Sequence, residues 1–88
     1  MMYSYATSKT FDKKSIKLLN KNKKRYEILL KKMNEIIECP KEYKNLRGSK
    51  FGLKRVHIDS HFVLTFKLDH YQKKVYFEDF DHHDKIYK

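Results

Sequence analysis

The chain has 88 residues, enough for one domain with a modest core and too few for two. Its 21 Lys and Arg residues outnumber 11 Asp and Glu residues, and the resulting net charge of +10 favours a polyanionic partner such as RNA or DNA. A single cysteine, Cys39, excludes an internal disulfide, and no apolar run is long enough to span a membrane. Because the N-terminus also lacks a signal-peptide pattern, we expect one cytoplasmic domain over residues 1–88.

The N-terminal half predicts a short strand followed by two helices. Residues 2–6 alternate weakly between apolar and polar side chains, as in a strand. Three residues could cap the helix that follows: Thr7, Ser8 and Thr10. We expect this helix to end near residues 20–22. Apolar residues then recur at three- and four-residue spacing from Tyr26 to Ile37, which predicts a second helix that ends before Pro40 and packs antiparallel to the first.

The C-terminal half predicts three strands, of which the first two form a hairpin. Val56 and Ile58 alternate with polar residues, and a second alternating run begins at Phe62. Because residues opposed across a hairpin share a face, Ile58 should oppose Phe62, which leaves residues 59–61 as the loop. Val56 then opposes Leu64 on the buried face.

The remaining segments complete an α+β pattern. Residues 41–52 contain both glycines and predict a loop, residues 69–72 a polar turn, and residues 74–80 the last strand. The order β-α-α-β-β-β predicts two helices packed on one face of a small, largely antiparallel sheet. We expect the other face of the sheet to lie open, with Arg55 and His57 on it.

These elements, together with three short motifs, resemble the RelE/ParE superfamily of toxins from bacterial and archaeal toxin–antitoxin modules. The motifs are Leu46-Arg47-Gly48 in the loop, Arg55-Val56-His57-Ile58 in the basic strand, and His83-Asp84-Lys85-Ile86-Tyr87 in the tail. The last two are most similar to the YafQ branch. The resemblance spans the chain and implies a RelE-like fold and a type II toxin that inhibits translation by cleaving messenger RNA on the ribosome. It also implies a RelB-like antitoxin partner in a hetero-oligomer, and no cofactor.

The same resemblance implies which residues act. In the YafQ branch a strand histidine and a C-terminal histidine serve catalysis, and the matching positions are His57 and His83. RNA can be cut without a metal when a base takes the 2′-OH proton and an acid protonates the leaving 5′-oxygen, and histidine suits both roles. Arg55 would hold the scissile phosphate, and Tyr87 would stack a base or contribute its hydroxyl. Further RNA or phosphate contacts are predicted from Arg47, Lys50, Lys54 and His61.

Several alternatives stay open at this point. The chain has His61 where the YafQ branch has an acidic residue, and Lys44 where it has a histidine, so an inactive, antitoxin-bound toxin is one of them. A non-catalytic, ParE-like toxin that grips nucleic acid or a topoisomerase is another. His82 competes with His83 for the catalytic role, and which histidine is the acid is not decided. Histidines beside Asp84 could bind zinc, but no familiar ligand spacing occurs, and we predict no metal.

Overall fold

A computed structural model describes residues 3–40, 43 and 53–86 of the chain. Its elements, in chain order, are β1 (Ser4–Thr7), α1 (Lys9–Lys21), α2 (Lys23–Glu38), β2 (Lys54–His57), β3 (Phe62–Asp69), β4 (Lys74–His82) and α3 (His83–Ile86). The predicted order β-α-α-β-β-β is confirmed, with the short helix α3 as an addition. The predicted loop over residues 41–52 lies outside the described residues, apart from Tyr43.

The four strands form one sheet in the order β1-β4-β3-β2. The pairs β2–β3 and β3–β4 are antiparallel, whereas β1 runs parallel to β4. The prediction of a largely antiparallel sheet is therefore confirmed. The chain between β1 and its parallel neighbour β4 runs through both helices, β2 and β3, since a hairpin cannot join parallel strands.

The β2–β3 hairpin has the predicted register. Val56 pairs with Leu64, and the Ile58 N–H donates to the Phe62 carbonyl at 2.9 Å. Residues 59–61 form the loop, as expected. A slip of one residue would turn every buried side chain of the strand to the opposite face, so the apolar pattern specifies this pairing strongly.

Side-chain caps fix the two helices. Ser8, one of the three candidates, caps α1: its Oγ accepts the Phe11 N–H at 3.0 Å and donates to the Glu78 carbonyl of β4. Asn22 ends α1 and caps α2, where its side chain accepts the Arg25 N–H at 3.0 Å. A single residue thus connects the two helices.

The core lies between the helical pair and one face of the sheet. The largest fully buried side chains of this core are Phe66, Phe77, Leu29, Ile36, Leu64 and Val75. The expectation of an open second face is wrong along the middle of β3, where Val63 and Thr65 are buried. Both lie in an inner strand, with Arg55 and His57 of β2 on one side and the end of β4 on the other, so strands flank them on both sides.

Candidate active site

The two histidines predicted to act together lie side by side. His57 is the last residue of β2, and His83 is the first residue of α3, directly after β4. Their ring centroids are 5.7 Å apart, and the ring planes differ by 19°. Both side chains are exposed, so a ligand can reach them from solvent.

An irregularity in β4 places the chain for this contact. The β3–β4 register shifts between Thr65, which pairs with Asp79, and Phe66, which pairs with Phe77, so that Glu78 is the extra residue of a bulge. Beyond the bulge the alternation of β4 is reversed, which puts Asp81 on the face that carries His57. The chain therefore enters α3 beside the end of β2.

The hairpin loop anchors the start of α3. The His83 N–H donates to the His61 carbonyl at 2.7 Å, a long-range backbone contact outside the regular ladders. The His83 imidazole also lies near Asp84, with Nδ1 and Oδ1 3.8 Å apart, which is longer than a hydrogen bond. The backbone contact therefore fixes the start of α3 to the hairpin loop.

A shallow cavity of about 360 Å³ opens above the histidine pair. Its lining residues are His57, Ser60, His61, His82, His83 and Asp84. The cavity thus contains both predicted catalytic histidines, the predicted RNA contact His61, and the rival candidate His82. We call this set of residues the histidine cavity.

The other predicted site residues fall into three groups. Arg55 lies on the His57 face of β2, two residues earlier and thus about 7 Å along the strand. Lys54 lies on the opposite face, and its Nζ donates to the Tyr43 carbonyl at 3.0 Å, so the structure does not bring it to the histidines. The remaining three, together with the Lys44 position, lie outside the described residues: Arg47, Lys50 and Tyr87.

Asp59 organises the loop that borders the histidine cavity. Its Oδ1 accepts the N–H groups of His61 at 2.8 Å and Phe62 at 3.0 Å, and its Oδ2 accepts Nε–H of Arg25 at 2.8 Å. Partial burial by itself would raise the Asp59 pKa, but these backbone and guanidinium donors outweigh it and lower that pKa below its ordinary value. The Arg25 guanidinium also lies over the Phe62 ring, 4.3 Å from its centroid.

Lys14 of α1 binds the part of β4 that extends beyond its pairing with β1. Its Nζ donates to Asp79 Oδ1 and Asp81 Oδ2, both at 2.8 Å, and is 3.4 Å from the Phe80 carbonyl. Burial by itself would lower the Lys14 pKa and raise the Asp81 pKa, but the contacts between these groups outweigh it. The two carboxylates raise the Lys14 pKa, and Lys14 together with the His82 N–H lowers the Asp81 pKa. The segment leading into α3 is thereby fixed to the first helix.

Comparison with known proteins identifies the family. A protein from Methanocaldococcus jannaschii, whose name marks it as a candidate RelE4 toxin, is 49% identical over 87 residues, which cover 99% of this chain and 93% of that protein. The chain belongs to the RelE toxin family. The RelE-like fold is also that of a chain in the E. coli DinJ-YafQ toxin-antitoxin complex, which it matches with a TM-score of 0.77 over 100% of both chains at 22% identity.

A metal-bound toxin from Helicobacter pylori has the same fold, with a TM-score of 0.75 and 26% identity over 96% of this chain and 98% of that one. In this RelE toxin, the part of the chain that the structure describes contains no cluster of three His, Cys, Asp or Glu side chains that could hold a metal ion. None of the described helices is long and apolar enough to cross a membrane. No model of a protein family matches the sequence.

Two residues of this RelE toxin's site have roles that sequence reasoning missed. An acidic residue at the start of a hairpin loop, such as Asp59, often accepts backbone N–H groups two and three residues on, so its loop contacts were within reach of the sequence. Its ion pair with Arg25 spans 34 residues and leaves no local pattern. Only the tertiary structure reveals it.

Proposed function

We propose that this RelE toxin is an endoribonuclease that cleaves messenger RNA on the ribosome without a metal ion, and so inhibits translation. The observation that carries the proposal is the approach of His57 and His83 to 5.7 Å in a solvent-open cavity. Two imidazoles at one site can supply the base and the acid that transesterification of RNA requires. The net charge of +10 favours an RNA substrate.

The separation of the rings restricts where the scissile phosphate can bind. A group bound between two stacked rings makes a non-bonded contact of about 3.5–4.0 Å with each ring, so the rings must be about 7–8 Å apart. The 5.7 Å between the ring centroids is too short for that. The phosphate is therefore expected against the ring edges, in the histidine cavity. There one imidazole of the pair takes the 2′-OH proton, while the other reaches the 5′-oxygen.

The reaction then follows the chemistry of the 2′-hydroxyl. The 2′-oxygen attacks the adjacent phosphorus, the bond from phosphorus to the 5′-oxygen breaks, and the protonated histidine gives its proton to that oxygen. The products are a 2′,3′-cyclic phosphate and a 5′-hydroxyl. Arg55, on the same face as His57, would stabilise the additional negative charge on phosphorus, and Tyr87 is proposed to stack a base or assist proton transfer.

We further propose that a cognate, RelB-like antitoxin neutralises the toxin in a hetero-oligomer. The DinJ-YafQ complex, which contains a chain of the same fold, is a toxin-antitoxin complex. An acidic and partly apolar antitoxin would suit a toxin of this charge, because opposite potentials favour association and register. Action on translating ribosomes places the protein in the cytoplasm.

The test is cleavage of a messenger RNA in a purified translation system, with and without ribosomes. Wild type should give ribosome-dependent cuts, in EDTA-treated protein as well. His57→Ala and His83→Ala should each lose about 10²–10⁴-fold in rate, the usual contribution of a general acid or base. His70→Ala is the matched control, because His70 is an exposed histidine in the turn after β3 and should cut as wild type does.

Two results would count against the proposal. Unchanged cutting by folded His57→Ala would remove that residue from the mechanism. A folded wild type that binds RNA or another target but cuts nothing would favour a non-catalytic or degenerate toxin.

A further inference from the structure

A second depression, of about 330 Å³, adjoins the histidine cavity at His82, which lines both. It runs between α1, the end of β4 and α3, over a floor that includes Leu18 and Phe80. Its walls carry four lysines, three from α1 and one from α3: Lys14, Lys17, Lys21 and Lys85. We call this depression the lysine groove.

The positive charge of the lysine groove is largely uncompensated. Among the described residues of its lining, the one carboxylate is that of Asp81, which Lys14 already binds. Lys17 and Lys21 take part in no ion pair with the residues that the structure describes, and α1 has no acidic residue one turn away from either of them. They lie one helical turn apart, about 6 Å along the axis, and so present a row of ammonium groups.

His82 connects the lysine groove to the histidine cavity, because its side chain lines both. Its ring packs on Phe62, with 4.4 Å between the centroids, and its side chain remains exposed. Single-stranded RNA is bound by such combinations of a basic groove with a ring on which a base can stack. The two depressions therefore meet at His82, next to the proposed catalytic pair.

We propose that the lysine groove binds the RNA strand on one side of the scissile phosphodiester, with a base stacked on His82 and phosphates on Lys17, Lys21 and Lys85. This inference rests on the proposed function, since it states where the RNA substrate of that reaction lies on the protein surface. An acidic segment of the antitoxin is the competing occupant. RNA is favoured because the groove shares His82 with the cavity where the phosphate would be cut.

The experiment measures binding rather than cleavage. The probe is a fluorescently labelled, fully 2′-O-methylated single-stranded oligoribonucleotide, which cannot be cut by 2′-oxygen attack. Its affinity is determined by anisotropy over a range of salt concentrations for wild type and for the triple variant Lys17→Gln, Lys21→Gln, Lys85→Gln. The matched control removes the same charge outside the groove, with the three exposed lysines changed to Gln: Lys9, Lys13 and Lys31.

The groove variant should lose about 2 from the slope of log K against log salt, since each phosphate contact with a single strand contributes about 0.7. The control variant should keep most of the wild-type slope. His82→Ala should weaken binding at least about fivefold at constant salt, as loss of one stacking contact does. Circular dichroism and thermal unfolding establish that each variant is folded.

Equal slopes for the groove and control variants would overturn the inference. So would a groove variant that loses antitoxin affinity but keeps its RNA affinity, because that result assigns the groove to the antitoxin. Failure of the proposed function is distinguishable: wild type would then cut no messenger RNA, whatever the binding of the uncleavable probe shows.

Discussion

Substitution of Asp59 by Ala and by Asn separates the two interactions of this carboxylate. Asp59 accepts two backbone N–H groups of the hairpin loop and, through its other oxygen, Arg25. Asn keeps a side-chain oxygen that can accept the loop N–H groups but has no charge to pair with Arg25, whereas Ala loses both interactions. The Asn variant therefore tests the ion pair, and the difference between the two variants tests the loop.

The contribution of each interaction to the free energy of unfolding follows from the structure. The two loop hydrogen bonds contribute about 0.5–1.5 kcal/mol each, or about 1–3 kcal/mol together. The Arg25–Asp59 pair has side chains 28% and 25% exposed, so solvent screening holds its contribution near the upper end of the surface range, about 1 kcal/mol. We expect Asp59→Asn to reduce the free energy of unfolding by about 1 kcal/mol and Asp59→Ala by about 2–3 kcal/mol.

The assay is urea unfolding at pH 7, with Arg25→Met combined with each Asp59 variant in a double-mutant cycle. Equal losses for Asp59→Ala and Asp59→Asn would refute the role in the loop, and a coupling energy near zero would refute the ion pair. Cleavage should follow the same order, because the loop carbonyl of His61 holds His83. Asp59→Ala should therefore impair cleavage more than Asp59→Asn does.

Two further predictions use the same unfolding assay. Lys14→Met removes the ion pairs with Asp79 and Asp81 and should destabilise by about 1 kcal/mol, because Lys14 is one-third exposed. The fold lowers the Asp81 pKa, so the stabilisation from its carboxylate is present above the ordinary pKa of about 3.9 and is lost as pH falls through the lowered value. In Lys14→Met the free energy of unfolding should therefore fall less steeply at acid pH. An unchanged acid dependence would contradict the reasoning. Phe66→Ala leaves a cavity in the core beside Phe77 and should lower the free energy of unfolding by about 3–5 kcal/mol. A loss below about 1 kcal/mol would contradict this prediction.

The parts of the fold that sequence predicts are those specified by local pattern. Alternation around Ile58 and Phe62 determines the hairpin register, since period two allows one buried face for each strand. The helix α2 follows from apolar spacing and from Pro40. Ser8 could not be chosen over Thr7 and Thr10, because all three hydroxyls can cap and the choice depends on where β1 ends.

The parts that sequence did not predict depend on distant residues or on very short segments. The parallel pairing of β1 with β4 joins residues about 70 positions apart, and the contact of Lys14 with Asp79 joins residues 65 apart. The helix α3 has four residues, too few to form without tertiary contacts or to show a helical period. Its first residue, His83, is anchored by a backbone contact to the hairpin loop.

The bulge in β4 links the core to the candidate site, and the sequence does contain a signal for it. Phe77 and Phe80 are both buried, yet residues three apart face opposite sides of a regular strand. An extra residue between them, Glu78, lets both enter the core. The same extra residue turns Asp81 toward the face of His57 and so directs His83 to it. Two buried phenylalanines at odd spacing thus determine where the histidine pair forms.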